Sequence, residues 1–537
     1  MTLLNNGEPV VRASNVINPS YLVVVPPLSL PPDNKETKDC GNEKEDNSNN
    51  MDKYKSIRHL LWCVSEVEEG KMYSFHVRPF ASLLASSSSP SIMSKTALFQ
   101  CSTNGSYPCH IELHQANTDI LFVSNYGSDK EGGSVHVSNV IIRSPSSTNV
   151  IDHNNNVNLI QTATSYIRHG SIGSNVDNNN NRQISSHAHT CCYDNNGGTS
   201  VVYTTDLGLD VVIRYRMIIN CDETTMDDDD EKERQDKYPH YHLKEIGRTN
   251  TPPGSGPRSF VLHPQNSREN HRLYRLAAVT LELTAQVLLL KIPNDDETLN
   301  NGSDQSGGED NAANDHFHAL GEPLPLLPPN WPPLINNNKN INDNCDSNNN
   351  ITNYDSDNID YDPSKFNNGR WGSDLVWSKD GIFLFVAARL HDSISIFTLL
   401  DSESSWKKNE EKDDNQSKEE DHKDSRRKLD CNQKPHLRFI RRIPHLRFIR
   451  RIPSGGRTPR CLTLSECGKL LLVAHQHSHD ICSFRITTDT SNDIDVSEVD
   501  GRGCNDDENE YNCDDVMLTF VDRIDAPCAA CVKMVAL

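Results

Sequence analysis

The residues best equipped for chemistry stand at the ends of short apolar runs. Arg258, Arg389 and Arg460 carry guanidinium groups, Glu66 and Glu282 carboxylates, and His187 and His189 a pair of imidazoles flanking Ala188. His110, Asn125 and Gln476 occupy comparable places and add hydrogen-bonding groups. A carboxylate or a neutral imidazole can take a proton from water, and a guanidinium can stabilise a developing oxyanion. A guanidinium is also well shaped to hold an anionic group with two hydrogen bonds. Together these side chains could hydrolyse a small anionic substrate, provided that the fold gathers them.

The elements that must gather them are strands. A short apolar run, a turn with Gly or Asp, a second run, a polar turn and a third run recur along the chain, as in SDLVWSKDGIFLFVAARLHDSISIFTL and PRCLTLSECGKLLLVAHQHSHDICSFRI. The runs are rich in β-formers, are too short for helices, and are separated by turn chemistry. Six such units start near Tyr21, Pro108, His187, Arg258, Asp374 and Arg460, and a seventh inner strand is expected at Cys528 to Val535. A radially repeated unit of three or four strands is a propeller blade. In a propeller the start of each innermost strand and the end of the next strand lie on one face. That geometry sends His110, His187, His189, Arg258, Asp374 and Arg460, with Glu66, Asn125, Asp206, Glu282, Arg389 and Gln476, to one channel mouth.

Seven blocks interrupt the pattern, at 33–55, 143–183, 222–237, 294–315, 336–368, 401–434 and 487–514. Rich in Asn, Asp, Glu, Lys and Ser, they cannot bury enough apolar surface to offset the entropy of ordering them, and they read as disordered insertions in a single domain spanning 1–537. PHLRFIRRI occurs twice in tandem, at Pro435 to Ile443 and Pro444 to Ile452; only the second copy leads into the next blade, so it should be an outer strand and the first copy a loop. The formal charge of −22 disfavours a nucleic-acid partner. The N-terminus lacks the pattern of a secretory signal, and no run is long and apolar enough for a membrane span. A cytoplasmic monomer with reduced thiols is expected, with no membrane partner, no metal and no cofactor.

The units also carry a family pattern. GPRSFVLHP, TTDLGLDVVIRY, YPCHIEL with VSNYGSDKEGGSV, and the two long units quoted above resemble, in order, the blades of the lactonase-type seven-bladed β-propellers, the 6-phosphogluconolactonase-like (cycloisomerase 2) family. The resemblance touches every unit and skips the insertions. It implies an all-β, seven-bladed propeller and a carboxylic-ester hydrolase that opens 6-phosphogluconolactone in the oxidative pentose phosphate pathway. By the same resemblance His187 or His189, Arg258, Glu282 and Arg389 are catalytic, while His110, Asn125, Arg460 and Gln476 would contact substrate. The chain departs from the family pattern at Ser259, Leu281, Val376 and Ala388, where polar residues are usual. Those departures favour a competing class, a non-catalytic binding or scaffold propeller. A muconate-type lactonising cyclase is a third reading.

Plainer roles stand beside these. Arg258 could pair with Glu282 as a rim salt bridge, and at least one of His187 and His189 should be a structural hydrogen bonder. Asp206, Asp374 and Asp380 read as turn residues. His475, His477 and His479 read as a solvated strand end rather than a metal site, and Cys528 with Cys531 as a lone pair without zinc or redox use. The closing blade should be incomplete, because only about seventeen residues precede the first unit where three outer strands need roughly twenty-five to thirty.

Overall fold

A computed structural model describes residues 2–5, 8–12, 16, 18–25, 59–77, 97–114, 119–128, 130–143, 158–169, 181–195, 200–220, 240–264, 275–292, 317–329, 371–400, 444–488, 516–526 and 529–533. Strands β1 (Thr2–Asn5) and β2 (Glu8–Arg12) form a two-stranded sheet. Blade one holds β3 (Pro19–Val25), β4 (His59–Ser65), β5 (Lys71–Val77) and β6 (Phe99–Ser102). Blade two holds β7 (Pro108–Leu113), β8 (Ile120–Asn125), β9 (Ser134–Arg143) and β10 (Asn158–Arg168). A single 3-10 turn, η1 (Asn181–Gln183), leads into blade three, with β11 (Ala188–Asp194), β12 (Val201–Asp206), β13 (Val211–Asn220) and β14 (His240–Asn250).

Blade four holds β15 (Pro257–Leu262), β16 (Arg275–Leu281) and β17 (Gln286–Ile292), edged by the short β18 (His318–Ala319) and β19 (Leu324–Pro325). Blade five holds β20 (Trp371–Trp377), β21 (Phe383–Arg389), β22 (Ser393–Leu400) and β23 (His445–Pro453). Blade six holds β24 (Pro459–Leu464), β25 (Leu470–His475), β26 (Asp480–Thr488) and β27 (Val516–Asp525). All pairings are antiparallel, and the inner strands fall where the six units begin.

Two expectations need correction. The block 143–183 is not one loop: β10 lies inside it as the outer strand of blade two, paired along β9, and η1 lies at its end. Its β-branched and aromatic run NLIQTATSYIR is masked in sequence by the Asn-rich stretches around it. No strand is formed by 529–533, so the seventh inner strand is not seen among the described residues, nor does β1 or β2 join a blade there. The second PHLRFIRRI copy is the largely exposed outer strand β23, as its alternation of apolar and basic residues requires. The first copy and the blocks 33–55, 222–237, 294–315, 336–368 and 401–434 lie outside the described residues, as does nearly all of 487–514.

The core lies between the blades. The faces of blades two and three meet through Phe122, Val137, Tyr193, Ile213 and Tyr215; those of blades four and five through Leu289, Trp377, Leu384 and Phe397. Period-two alternation gives each strand two apolar faces, one for each neighbour. Blade six continues the pattern against 529–533, where Cys461 and Ala474 pack on Ala529, Cys531 and Val532.

Two backbone features tie this packing together. Each inner strand starts with a register break against its neighbour, between Pro19 and Tyr21, Pro108 and His110, Ala188 and Cys191, Pro257 and Phe260, Gly372 and Leu375, and Pro459 and Cys461. Residues within such a bulge leave the ladder and point in new directions. At the same level a buried hydroxyl or thiol of one blade reaches a carbonyl of the next: Ser20 to Pro108 (2.8 Å), Cys109 to His189 (3.2 Å), Thr205 to Arg258 (2.5 Å), Thr280 to Ser373 (2.9 Å) and Ser373 to Pro459 (2.6 Å). The series runs on to the C-terminal segment, where Cys461 Sγ lies 3.6 Å from the Val532 carbonyl. Asp374, expected as a turn residue, belongs here too: it accepts the Leu462 N–H of the next blade at 2.9 Å.

At the opposite ends of the inner seam, buried Arg275 of β16 pairs with Asp194 of β11 and donates to the Tyr203 hydroxyl at 3.2 Å. Removing one member of a buried ion pair leaves the other charge without compensation. Arg275→Ala should therefore lower unfolding free energy by about 3–5 kcal/mol, and replacing Arg275 and Asp194 together by apolar residues should recover a large part. Urea unfolding of the two variants measures this; a single-variant loss of under about 1 kcal/mol would mean that the pair does not hold blades three and four together.

Candidate active site

The bulges aim three polar residues at the axis. His189, Arg258 and Arg460 each lie inside a register break, and each lines a central cavity of about 250 Å³. Second-strand ends bring Glu66, Tyr126, Glu282, Arg389 and Gln476 to the same face. Of the residues expected to converge there, His189, Arg258, Arg460, Glu66, Glu282, Arg389 and Gln476 are gathered, whereas Asn125, Asp206 and Asp374 hold backbone and seams.

Glu282 is the centre. It is fully buried, its Oε2 lies 2.5 Å from Arg258 Nη1, and its Oε1 lies 3.2 Å from Arg182 Nη2 and 3.5 Å from Arg389 Nη1. Burial alone would raise its carboxyl, but Arg258, Arg182 and Arg389 outweigh that and hold it well below the usual carboxylate range. The pairing of Arg258 with Glu282 thus exists, but it is a buried knot and not a rim salt bridge. Glu282 is correspondingly a poor general base: it is a fixed negative charge that organises three guanidiniums.

Around this knot positive charge is in excess. Arg389 is buried and lies near Arg258, and these two facts push its guanidinium below its ordinary range despite Glu282. Its Nη2 donates to Gln476 Oε1 at 3.3 Å. Arg460 is bound to Glu66 at 2.9 Å, a pair that spans from blade six to blade one. The Trp371 ring is near both Arg182 and Arg389, whose guanidinium carbons are 5.4 and 5.5 Å from its centroid. Four arginines therefore face two carboxylates. Arg258 Nε and Arg389 Nε are buried without a hydrogen-bond partner, as is His189 Nδ1.

The two histidines part company. His187 stacks on Tyr126 with centroids 4.2 Å apart, and its ring nitrogens meet the Tyr126 carbonyl (3.1 Å) and Ser185 Oγ (3.1 Å), so it is the structural member. His189 lies deeper, edge-on to Tyr126, and burial together with Arg258 holds its imidazole well below the ordinary value and hence neutral near pH 7. His110 lies farther along the channel, against Tyr21 and 3.4 Å from Cys191 Sγ, its pKa lowered to about 3 by burial and Lys533.

Asn125 does not join the site. Its side chain is buried and donates to the Thr103 carbonyl and Ser134 Oγ, both at 3.2 Å, tying blade one to blade two. Asp380 is a turn residue as expected. Asp206, at the end of β12, accepts the backbone N–H groups of His187 (2.8 Å) and Leu209 (2.9 Å) but is fully buried, its Oδ2 2.5 Å from His169 Nδ1. His475 is not a solvated strand end: it is buried, with Nδ1 2.7 Å from Asp480 Oδ1, because β25 and β26 form a tight hairpin that sets the two opposite each other. Cys482 lies beside the same carboxylate, but Arg523, 3.5 Å from Asp480, already supplies the positive charge that a metal would bring. Of the departures from the family pattern, Leu281 and Ala388 are buried and Val376 and Ser259 line the cavity.

Sequence reasoning missed Arg182, Tyr126 and Trp371. Arg182 sits in η1 at the end of an Asn-rich block, held in place by the Gln183 amide, which donates to the Leu207 carbonyl (2.9 Å) and Asp210 Oδ1 (2.8 Å). The usable signal was position: Arg182 directly precedes the strand of His187 and His189, and Tyr126 and Trp371 abut strand ends.

The structure is a propeller whose blades gather four arginines and two carboxylates at one mouth. A family model for the lactonase, 7-bladed beta-propeller family matches residues 32–319, 344–416 and 440–498, more than half of the chain, and the chain belongs to that family. Among solved structures it is similar to the periplasmic gluconolactonase of Pseudomonas aeruginosa, with 18% identity, 89% of this chain and 85% of that chain covered, and a TM-score of 0.46. It is also similar to a protein from Bacteroides uniformis provisionally named a 6-phosphogluconolactonase, with 15% identity, 98% and 91% covered, and a TM-score of 0.47. A Bacteroides fragilis protein, provisionally named in the same way, is 16% identical, with 99% and 91% covered and a TM-score of 0.47. No curated protein matches the chain.

The knot sets a pH signature. A carboxyl whose folded pKa is depressed contributes stability above its unfolded value, about 4.3, and loses it as pH falls toward the folded value. The stability gap between wild type and Glu282→Gln should therefore be full at pH 6 and shrink steadily below about pH 4. Chemical denaturation at several pH values measures it, and a gap independent of pH would contradict the buried ionised carboxylate.

Proposed function

We propose that the chain hydrolyses an anionic sugar lactone, with 6-phosphogluconolactone as the substrate. The observation that carries this reading is the surplus of positive charge at the mouth: Arg182, Arg258, Arg389 and Arg460 against Glu66 and Glu282, beside a neutral His189. A phosphate or carboxylate would relieve that surplus, with Arg182 and Arg389 as the clamp. His189 would take a proton from water as the water's oxygen attacks the lactone carbonyl. Arg258, which has a buried N–H to spare, would stabilise the oxyanion. Collapse breaks the ring C–O bond, and the departing alkoxide takes the proton back from the imidazolium. Water is added overall and the product is the open hydroxy acid. Trp371 and Tyr126 would flank the sugar.

One observation favours a second reading, a propeller that binds the open acid without turning it over. Glu282 is locked between three arginines and His187 has both ring nitrogens engaged, so of these three only His189 is left as a base.

Purified protein offered δ-6-phosphogluconolactone should accelerate ring opening above the spontaneous rate. Arg258→Ala and His189→Ala should each lower kcat/KM by about two to three orders of magnitude while leaving a folded β spectrum. Wild-type protein that binds 6-phosphogluconate but gives no acceleration would replace the hydrolase reading with the binding one. Because His189 is held neutral, kcat/KM should be flat from pH 8 down through pH 6.5 and fall only at lower pH. A profile already halved at pH 7 would rule out His189 as the base.

A further inference from the structure

Apart from the mouth, the feature most open to chemistry is where the ring closes. Cys461 lies just past the bulge of β24, and Cys531 lies in the C-terminal segment; their sulfurs are 3.6 Å apart. Cys461 is buried but lines the central cavity together with Ala530 and Lys533, and Cys531 is only partly buried, so a small molecule can approach the pair at Cys531. The other described thiols with hydrogen bonds meet different partners: Cys109 contacts backbone carbonyls, Cys191 His110 and the Phe122 carbonyl, Cys482 Asp480, and Cys467 Ser465. Lys533 anchors the segment, its ammonium 2.9 Å from the Tyr21 hydroxyl of blade one and over the Tyr21 ring at 4.7 Å.

We propose that Cys461 and Cys531 are a modification site, a thiol pair that closes to a disulfide under oxidation and fastens the C-terminal segment to blade six. Every other seam joins two sheets that have four or more strands each, whereas 529–533 brings no strand pairing of its own among the described residues. That makes this seam the one where a covalent link adds most. The sulfurs need to close by about 1.5 Å to reach bonding distance, within the reach of side-chain rotation.

The step balances with a small-molecule disulfide as oxidant. The Cys531 thiolate attacks RSSR, forming a mixed disulfide and releasing RS⁻; the Cys461 thiolate then attacks Cys531 Sγ and releases the second RS⁻. Two protein thiols are oxidised, RSSR is reduced to two RSH, and the two thiol protons end on the released thiols. Cys531 suits the attacking role. Burial would raise its thiol, but the contacts with Cys461 and Lys533 outweigh that and lower it, while Cys461 is pushed up.

The test uses the full-length reduced protein, oxidised glutathione as the probe, alkylation of remaining thiols, and tryptic digestion without reductant. Trypsin places Cys461 with Cys467 on 461–469, and Cys531 with Cys528 on 524–533, so the assay starts from a Cys467→Ser/Cys528→Ser background. The expected product there is 461–469 joined to 524–533, two hydrogens lighter than the sum, and absent once Cys461→Ser or Cys531→Ser is added. The oxidised protein should also melt at least ~2 °C above the reduced one, because the link closes a segment of 70 residues, and dithiothreitol should reverse the shift. If Cys461→Ser does not fold, the background protein still decides: both thiols fully alkylated after oxidation, either thiol joined elsewhere, or a cross-link with no change in melting would each overturn the proposal.

Discussion

The structure depends on the bulge that opens every inner strand. Each inner strand is the edge of its sheet, so a ladder pairs only alternate carbonyls there and leaves the others for a neighbour. Within the break, the carbonyls of Arg258 and His189 accept a hydroxyl or thiol from the preceding blade. The break also frees the side chains at the same positions from the strict alternation of the strand, and these turn toward the axis. One irregularity thus serves cohesion and chemistry together. His189 and Arg258, which line the cavity, also lend their carbonyls to the latches between neighbouring blades, so these two are held as firmly as the seams. Rigidity matters because preorganised charge stabilises a developing oxyanion without reorganising as the reaction proceeds.

The charge balance at the mouth follows from that rigidity. Three guanidiniums held around one carboxylate leave a net positive charge at that point of the mouth. Trp371 contributes a ring that two arginines share, which keeps both planes in place without neutralising either. The protein as a whole carries a formal charge of −22, so the pocket opposes the sign of its surroundings. Short-range contacts must then supply recognition that long-range steering does not.

Much of this was legible in the sequence. Period-two runs with turn residues located all six inner strands, and propeller geometry then placed Arg258, Glu282, Arg389, Arg460 and His189 at one mouth. The failures have physical causes. Arg182 escaped because composition flags the Asn-rich block around it as unstructured, although a few ordered residues at its edge suffice to deliver a side chain. Asn125 occupies the right strand end, but its amide satisfies Thr103 and Ser134, and no rule of spacing reveals which way an amide turns. His475 looked solvated because its partner, Asp480, becomes adjacent only once the hairpin folds back. The charge state of Glu282 depends on three arginines from three separate segments, which only the folded chain assembles.

The bulge also bears on how such proteins diversify. Because it interrupts the alternation, mouth residues are relieved of the pattern that the apolar core imposes on the rest of the strand. A lineage can exchange a mouth side chain without disturbing the packing beyond the break, provided that the main-chain carbonyl there still meets its latch. Ser259, inside the bulge of β15 and lining the cavity, occupies such a position. Selection on substrate and selection on folding therefore act on separable parts of one strand, which leaves room for a new specificity to arise by drift through mouth positions while the ring stays intact.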